Sequence, residues 1–579
     1  MCGIAGIIDF RGGIDRGRLT RLRERLHHRG PDGRGITELA HAGLVHTRLA
    51  LVDAAGGAQP LASDDGRYTL VYNGEVYNAS ELRDTLRHDW HFQTRCDAEV
   101  VLAAYAHWGA ACVPRLNGMF AFFVWDTRAD AGFAARDLLG VKPFVYAHRG
   151  EEVVFASEAK AILDVLPGPR RARRSAVLEY LTAPCFSGVE APMFEGLEYL
   201  APGHCLHVTR EGICIDRWGE HSLHEQPSPV APEELRTAFE EAVRRTMVAD
   251  VPVSVFLSGG LDSTAIAAAA RVERAYTIRF EAQERFDYAR SRIVISDDEP
   301  FADLAARELG LRRTLVHVDR ASLALDLAHL AATNDALPAW EQELAQHHLA
   351  RAAARDYKAA LVGDAADETH FGYHFLLDNV ATSSPRAILE RFGASIVRRD
   401  VLGDPTAHFD AHYRTLVAAA GHDWETREAR VLATTWLVVH RWLPRLLHNG
   451  DIHGMAHGLE ARVPFADHSL LAIARRVGPV AALAGGMEKA ALRAALKGLV
   501  PEPIRTRRKS ALPKDQEVAA IYQREAAALL ADGALGDLID LAAAHALCEP
   551  ARRLDERERA LLFRLICLVH WARTYEVQL

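Results

Sequence analysis

The chain has 579 residues, of which 49% are hydrophobic and 25% charged; that is an ordinary globular composition, at a length suited to several domains rather than one. A formal charge of −9 speaks against a general nucleic-acid binder, which would carry a basic face. Apolar runs such as 265–270 are too short to span a bilayer, so no membrane role is expected.

The chain opens Met1-Cys2-Gly3-Ile4-Ala5-Gly6-Ile7-Ile8 and meets an acid at Asp9. Without a basic stretch this is not a signal peptide. Removal of Met1 would leave Cys2 with a thiol and a free α-amine on one residue. Such a nucleophile needs no distant base, because the amine titrates near neutrality and can take the thiol proton. The competing reading is a buried cysteine in a first strand. The eight cysteines (2, 96, 112, 185, 205, 214, 548 and 567) form no CxxC pair and read as reduced thiols of a cytoplasmic enzyme.

His28-Arg29-Gly30-Pro31-Asp32-Gly33 is a loop dense in turn formers. The stretch 47–53 is a strand candidate carrying Arg48. The stretch 72–78 reads as a turn, in which Asn73 offers a side-chain amide and Gly74 a backbone N–H, the two donors of an oxyanion hole. Asp97 precedes a helical run over 100–108. An Arg and an Asp suit the two charged ends of an amino-acid substrate. Strands are expected over 119–126 and 153–156.

On these residues the segment resembles the class II, N-terminal nucleophile, glutamine amidotransferases. The matching stretches are Met1-Cys2-Gly3-Ile4, Arg29-Gly30-Pro31-Asp32, Asn73-Gly74-Glu75 and Asp97-Ala98-Glu99, then Arg136-Asp137-Leu138-Leu139-Gly140-Val141-Lys142-Pro143 and Ser157-Glu158-Ala159-Lys160. The resemblance implies a two-sheet sandwich between helix layers. It implies that Cys2 attacks the side-chain amide of glutamine and that Asn73 and Gly74 form the oxyanion hole. Arg48, Asn73, Glu75 and Asp97 would hold the glutamine, Arg48 at its α-carboxylate and Asp97 at its α-ammonium. The products would be glutamate and ammonia.

A break is read at Pro167-Gly168-Pro169-Arg170-Arg171, and Pro202-Gly203-His204 resembles a hairpin of the same family. The stretch 221–232, with Pro227, Pro229 and Pro232, reads as an inter-domain linker. The domains are thus expected at 1–220 and 233–579.

In the second, strands over 253–257, 275–280, 314–318 and 359–362 alternate with helices such as 300–309. This is a doubly wound α/β pattern, with ligands at the carboxyl ends of its strands. Beyond about 385 the chain reads as mostly helix. The first strand ends in Leu257-Ser258-Gly259-Gly260-Leu261-Asp262-Ser263-Thr264 and a helix follows. Strand, tight turn and helix N-terminus place orphan amides around one point, which favours a phosphate or pyrophosphate. Asp262 beside phosphates would suit Mg²⁺. An ordinary βα turn is the plainer alternative, and no Lys follows the glycines as a P-loop requires.

The strand at 359–362 ends in Val362-Gly363-Asp364-Ala365-Ala366-Asp367-Glu368-Thr369. Acids clustered at a strand tip are costly unless a cation neutralises them. An exposed acidic loop is the other reading. The basic run Ile504-Arg505-Thr506-Arg507-Arg508-Lys509 could be a solvated face or could supply cations to a polyanionic transition state.

This half resembles the synthetase domain of glutamine-hydrolysing asparagine synthetases, so the resemblance covers nearly the whole chain. It implies ATP and Mg²⁺: a small carboxylate acceptor is adenylated, and ammonia, carried through an inter-domain channel, displaces AMP. By that resemblance Ser258 to Ser263 cradle pyrophosphate, and Leu257, Val362 and Gly363 border the nucleotide. Asp262, Asp367 and Glu368 hold the metal, and Lys489 and Lys509 approach the phosphates. Asp364 lies by the acceptor.

The chain departs from that family where Val362, Asp364 and Ala365 replace Ser, Glu and Gly. Trp340 stands where small polar residues are usual, and 281–298 does not align. Aspartate and a related specialised-metabolite acid both stay open as acceptor, and a homodimer stays open as the assembly. β-Lactam synthetases and lasso cyclases share the architecture but close an intramolecular amide without ammonia. A non-catalytic homologue is the remaining alternative.

Overall fold

The computed structural model describes residues 2–184, 191–220, 227–288, 291, 294–373, 396–423, 425–512 and 516–579. Cys185, the linker stretch 221–226, part of the 281–298 segment and the start of the helical region beyond 385 lie outside the described residues.

The first part of the chain forms β1 (Cys2–Asp9), β2 (Gly33–Glu38), β3 (Ala42–Arg48), β4 (Leu61–Ala62), β5 (Tyr68–Val76), β6 (Gly118–Asp126) and β7 (Ala131–Arg136). It continues with β8 (Val145–Arg149), β9 (Glu152–Ala156), β10 (Arg170–Arg171), β11 (Glu198–Tyr199), β12 (His204–Thr209) and β13 (Gly212–Arg217). Two six-stranded sheets result, in the orders β11-β8-β9-β1-β3-β2 and β13-β12-β7-β6-β5-β4.

Strand β6 shows how they stack. Its residues are all buried, and side chains alternate along a strand. Ala121, Phe123 and Trp125 enter the core between the sheets with Ile4, Ile8 and Phe155. Phe120, Phe122 and Val124 instead meet Val100 and Ala104 of the helix Asp97–Trp108. The outer face of the first sheet is covered by Leu19, Leu22 and Ile162 of the helices Arg16–Arg25 and Ala159–Leu163. The architecture is the expected α/β/β/α sandwich.

The second part builds one parallel sheet from β14 (Val253–Phe256), β15 (Arg274–Phe280), β16 (Arg312–Val318), β17 (Ala359–Leu361) and β18 (Glu460–Arg462), in the order β16-β15-β14-β17-β18. Helices Pro232–Thr246, Leu261–Ala270 and Glu299–Leu309 pack on one face through Phe239, Ile266 and Ala305. Helix Gln342–Ala353 packs on the other through Leu349 and Ala353. This is a doubly wound sheet, and its order reverses between β14 and β17, where such sheets bind ligands. Among the described residues no helix is long and apolar enough to cross a membrane.

Three local expectations are corrected. The stretch 72–78 is not a turn: residues 72–76 lie inside β5, paired through Asn73↔Ala121 and Gly74↔Phe120 with β6. Burial of that pairing overrides the turn preference of Asn-Gly. Of the strand expected over 47–53, Thr47 and Arg48 alone belong to β3, and the chain turns at Asp53 with φ 47°. The break read at 167–171 is a docking point, because β10 pairs in parallel with β19 (Val577–Gln578). The last helix, Glu556–Thr574, opens with a capping box of Asp555 and Glu558 and packs Trp571 against Phe194 with the rings tilted by 34°.

Candidate active site

Two constellations form, one in each half. The first surrounds Cys2, which is 8% exposed and begins β1 opposite Arg48 of β3. The Cys2 backbone N–H donates to Asn73 Oδ1 at 3.0 Å. Arg29 Nε donates to the Cys2 carbonyl at 3.1 Å. Burial pushes the Cys2 thiol up. Asn73 is completely buried, and its Nδ2 amide has no hydrogen-bond partner among the described residues. A donor left that way costs free energy in the resting fold unless something else accepts from it. A Cβ on Gly74 would strike the Met119 carbonyl, so glycine is required there.

Arg48 donates to the carbonyls of Val52 at 3.2 Å, Asp53 at 2.7 Å and Ala54 at 2.8 Å. Asp97 opens its helix and accepts from the Val76 N–H at 2.8 Å and from the Tyr72 hydroxyl. Burial raises the Asp97 carboxyl. Cys2 and Arg48 thus share one sheet, Asn73 reaches Cys2 from the other, and Asp97 joins from the start of its helix through Val76. Glu75 is brought elsewhere: its carboxylate lies 3.4 Å from the buried Arg462 of β18, which also binds Glu460 Oε1 at 2.6 Å. Its side chain faces the second half of the chain.

The second constellation sits at the tips of β14 and β17. Leu257 is buried, with its N–H on the Tyr276 carbonyl at 2.9 Å. The loop beyond is closed by its own hydroxyls: Ser263 Oγ accepts from the Ser258 N–H at 3.2 Å, and Ser258 Oγ from the Gly260 N–H at 3.2 Å. Gly259 has φ 76°, and a Cβ there would strike the Ala302 amide. Gly260 caps the helix Leu261–Ala270. The two loops abut, since a Cβ on Gly363 would lie 3.4 Å from Asp262 Cβ. Val362 is tied by its N–H to the Arg462 carbonyl at 2.9 Å.

Acids and lysines alternate across this junction. Lys489 Nζ, 1% exposed, lies 2.6 Å from Asp262 Oδ2 and also contacts Asp367. Lys509 Nζ lies 2.7 Å from Asp367 Oδ2. Burial alone would raise the Asp367 carboxyl, but Lys489 and Lys509 outweigh it and hold it well below the usual range. Asp262 Oδ1 is buried without a donor among the described residues.

Among the described residues no group of three or more acids, histidines or cysteines is arranged to hold a metal. Of the expected set Asp262, Asp367 and Glu368, the first two meet at the Lys489 ammonium. Glu368 is drawn off by the Tyr373 hydroxyl, and burial with Asp367 nearby pushes its carboxyl up to about 7. The pair would suit a divalent cation: both carboxylates reach one ammonium, and Asp262 Oδ1 lacks a donor among the described residues.

Asp364 faces Gly450 of the helix Leu443–Met455, and a Cβ on Gly450 would sit 3.4 Å from its Oδ2. Burial pushes its carboxyl from 3.8 up to about 6. The next residue, Ala365, holds φ 70°, a conformation that costs about 1–2 kcal/mol for a residue with a Cβ. The departure from glycine thus falls on a strained position. Trp340, the other departure, packs beside Phe409 and Leu437.

Because the folded pKa of Asp364 exceeds its unfolded value, ionisation is penalised in the fold. That penalty is absent below the usual carboxylate range and complete above about pH 6. Asp364→Asn should therefore stabilise the ligand-free protein by about 1–3 kcal/mol at pH 8 and leave it unchanged at pH 4. A melting-temperature gain that is equal at both pH values would contradict this.

Several site residues escaped sequence reasoning. Arg462, Glu460 and Asp451 read locally as ordinary charged residues. Arg29 lies in a noticed loop, but nothing beside it announces its partners: its guanidinium reaches Glu158 and Asp451, both at 2.8 Å.

Residues 1–219 match the family model of the glutamine amidotransferase domain, and residues 234–573 that of asparagine synthase. The chain is 33% identical over 549 residues to asparagine synthetase [glutamine-hydrolyzing] 3 of Bacillus subtilis (strain 168), covering 89% of this chain and 87% of that protein. It is 28% identical to a putative asparagine synthetase [glutamine-hydrolyzing] of Mycobacterium bovis, covering 99% and 97%. Among solved structures, glutamine phosphoribosylpyrophosphate amidotransferase from B. subtilis aligns at 17% identity over 68% of this chain and 80% of that one, with a TM-score of 0.28, too low to carry an argument.

Proposed function

Since this chain belongs to the glutamine-hydrolysing asparagine synthetase family, whose members are ligases, we propose that it adenylates a small carboxylate with ATP and converts it to an amide with glutamine-derived ammonia. Glutamate, AMP and pyrophosphate are the other products. We read 1–220 as the glutaminase domain, 221–232 as the linker and 233–579 as the synthetase domain of a cytoplasmic enzyme. The observation that carries the reading is the alternating chain Asp262, Lys489, Asp367 and Lys509 at the point where the sheet order reverses.

In the glutaminase centre, Cys2 Sγ attacks the side-chain amide carbon of glutamine. The α-amine freed by loss of Met1 takes the thiol proton. The hydrogen bond from Cys2 N to Asn73 Oδ1 holds that nitrogen in place. The same side chain then turns its unpartnered Nδ2 towards the developing oxyanion, beside the Gly74 N–H. Donors preorganised in this way are worth about 3–4 kcal/mol of barrier. Arg48 and Asp97 take the α-carboxylate and α-ammonium, and Glu75 contributes through its backbone, its carboxylate being held by Arg462. The protonated α-amine returns the proton to the amide nitrogen, the C–N bond breaks and ammonia leaves, and water then hydrolyses the thioester to release glutamate from Cys2.

In the synthetase centre, the backbone amides and hydroxyls of Ser258 to Ser263 receive the phosphates, and Leu257, Val362 and Gly363 border the nucleotide. Lys489 and Lys509 neutralise the charge that builds up as pyrophosphate departs. Mg²⁺ held by Asp262 and Asp367, when bound, supplies further charge neutralisation on the phosphates. Asp364, ionised above about pH 6, accepts a proton from the ammonia that attacks the acyl carbon. Its carboxylate is one methylene shorter than a glutamate and leaves more room for the acceptor.

A carboxylate screen read by pyrophosphate release, with glutamine and ATP present, assigns the acceptor between aspartate and a related specialised-metabolite acid. AMP is the expected nucleotide product. Accumulation of ADP in place of AMP would overturn the adenylation chemistry.

A further inference from the structure

The loop that orients Arg48 is held from the second half of the chain. Asp53 is its hub. The Asp53 carbonyl accepts from Arg48 Nη2 at 2.7 Å, and its Oδ2 accepts from the Arg95 N–H at 2.8 Å. Asp53 does this at φ 47°, a backbone conformation that persists only when its surroundings enforce it.

Gly56 and Gly57 close the turn on the Asp53 carbonyl locally, and Asp250 braces it from the second half of the chain. Its Oδ2 accepts from the Asp53 N–H at 2.9 Å and from Arg95 Nη2 at 2.8 Å. In return the Asp250 N–H donates to the Leu51 carbonyl at 2.8 Å. The segment carrying Asp250 is itself pinned, because the buried Arg462 donates to the Thr246 and Val248 carbonyls, both at 2.7 Å. A second clamp lies beside it. Lys358 Nζ lies 2.7 Å from Asp32 Oδ2, which accepts from the Ala50 N–H at 2.8 Å. Between the clamps, Leu49 and Leu51 are buried in the same core as Val253, Val255 and Leu257.

We propose that Asp250, assisted by Lys358, is a positioning residue for glutamine recognition: residues preceding β14 and β17 clasp the Arg48 loop and complete the glutaminase site from outside it. The inference rests on the reading of Arg48 as the glutamine carboxylate ligand. It has a structural corollary. Strands β14 and β17 are neighbours, and each carries a clamp at its amino end and a phosphate-site loop at its carboxyl end. Two short strands therefore join the two centres.

Glutamine hydrolysis by the full chain tests this. Asp250→Ala should raise the glutamine KM about five- to tenfold, the worth of one or two hydrogen bonds in a half-exposed network, with kcat changed less than about twofold. Asp250→Asn, whose Oδ1 can still accept from the Asp53 N–H, should recover most of that loss. Lys358→Met should raise KM by a smaller factor, and it carries the test should Asp250→Ala fold poorly. Amide formation driven by added ammonium should be unchanged in all three. An unchanged KM in Asp250→Ala, a failure of Asp250→Asn to recover, or a parallel fall in ammonia-driven activity would each overturn the inference. Arg48→Ala separates the two layers. If it raises KM while Asp250→Ala does not, the inference alone fails; if it too leaves KM unchanged, the glutamine reading fails first.

Discussion

Replacing Cys2 by alanine should abolish glutamine-driven amide formation, by roughly 10³- to 10⁶-fold, while ammonia-driven formation persists. The change removes the thiol on the residue whose N–H is held by Asn73 Oδ1, and with it the sulfur that would form the covalent intermediate. The fold should tolerate the change. Cys2 lies in a strand whose residues are all buried, and exchanging a sulfhydryl for a hydrogen removes one heavy atom without creating a polar orphan. The Cys2 N–H and carbonyl contacts to Asn73 and Arg29 are backbone contacts and survive. The assay is amide yield with glutamine and, separately, with ammonium chloride, at matched ATP. A variant that keeps full activity with glutamine would show that ammonia is not drawn from glutamine at this site. That outcome would favour the intramolecular ring-closing chemistry of the β-lactam synthetase and lasso cyclase type.

Arg29→Met is expected to cause the largest loss of stability. The guanidinium is completely buried and satisfies three groups: the Cys2 carbonyl, Glu158 and Asp451. Burial would lower its pKa, but Asp451 and Glu158 hold it above the ordinary value. Glu158 would keep His28 at 3.1 Å and Lys160 at 2.7 Å. Asp451 would be left with Lys142 at 3.7 Å. Breaking a buried pair from one side costs about 3–5 kcal/mol, because the remaining charge stays buried with Lys142 alone beyond hydrogen-bond distance to offset it. Chemical denaturation monitored by tryptophan fluorescence measures it. Adding Asp451→Asn to Arg29→Met should recover part of the loss, since the stranded charge is then gone. A single-variant loss below about 1 kcal/mol would mean that water reaches the site. Arg29 also joins the strand bearing Cys2 to the helix Leu443–Met455, whose Gly450 faces Asp364. Arg29→Met should therefore lower glutamine-driven activity more than ammonia-driven activity.

Much of the site was legible from local pattern. A β-branched run ending in Ser-Gly-Gly, followed by alanines, specifies strand, turn and helix within a dozen residues, because each preference acts over the span of one element. Helix Leu261–Ala270 begins four residues before its alanine run, since the turn residues themselves adopt helical geometry once Gly260 caps them. The alternation of strands and helices determined the parallel sheet, and Cys2 became the candidate nucleophile through the motifs that follow it rather than through its position. Where local preference met burial, burial prevailed. Asn73-Gly74 has turn chemistry, yet it lies in a strand because that strand fills the space beside β6. Glu75 looked like part of a glutamine site, yet its carboxylate is claimed by Arg462.

By itself, then, the sequence determined the family and the elements that carry the proposed chemistry. The tertiary structure decided how the two are joined. Arg29 and Asp451 lie 422 positions apart, Asp53 and Asp250 197, and Asp32 and Lys358 326. In the sequence each is a charged residue with the composition of a solvated surface. They become a clasp, a clamp and a buried pair only when distant segments exclude water between them, and periodicity, capping and turn preference do not act over that distance.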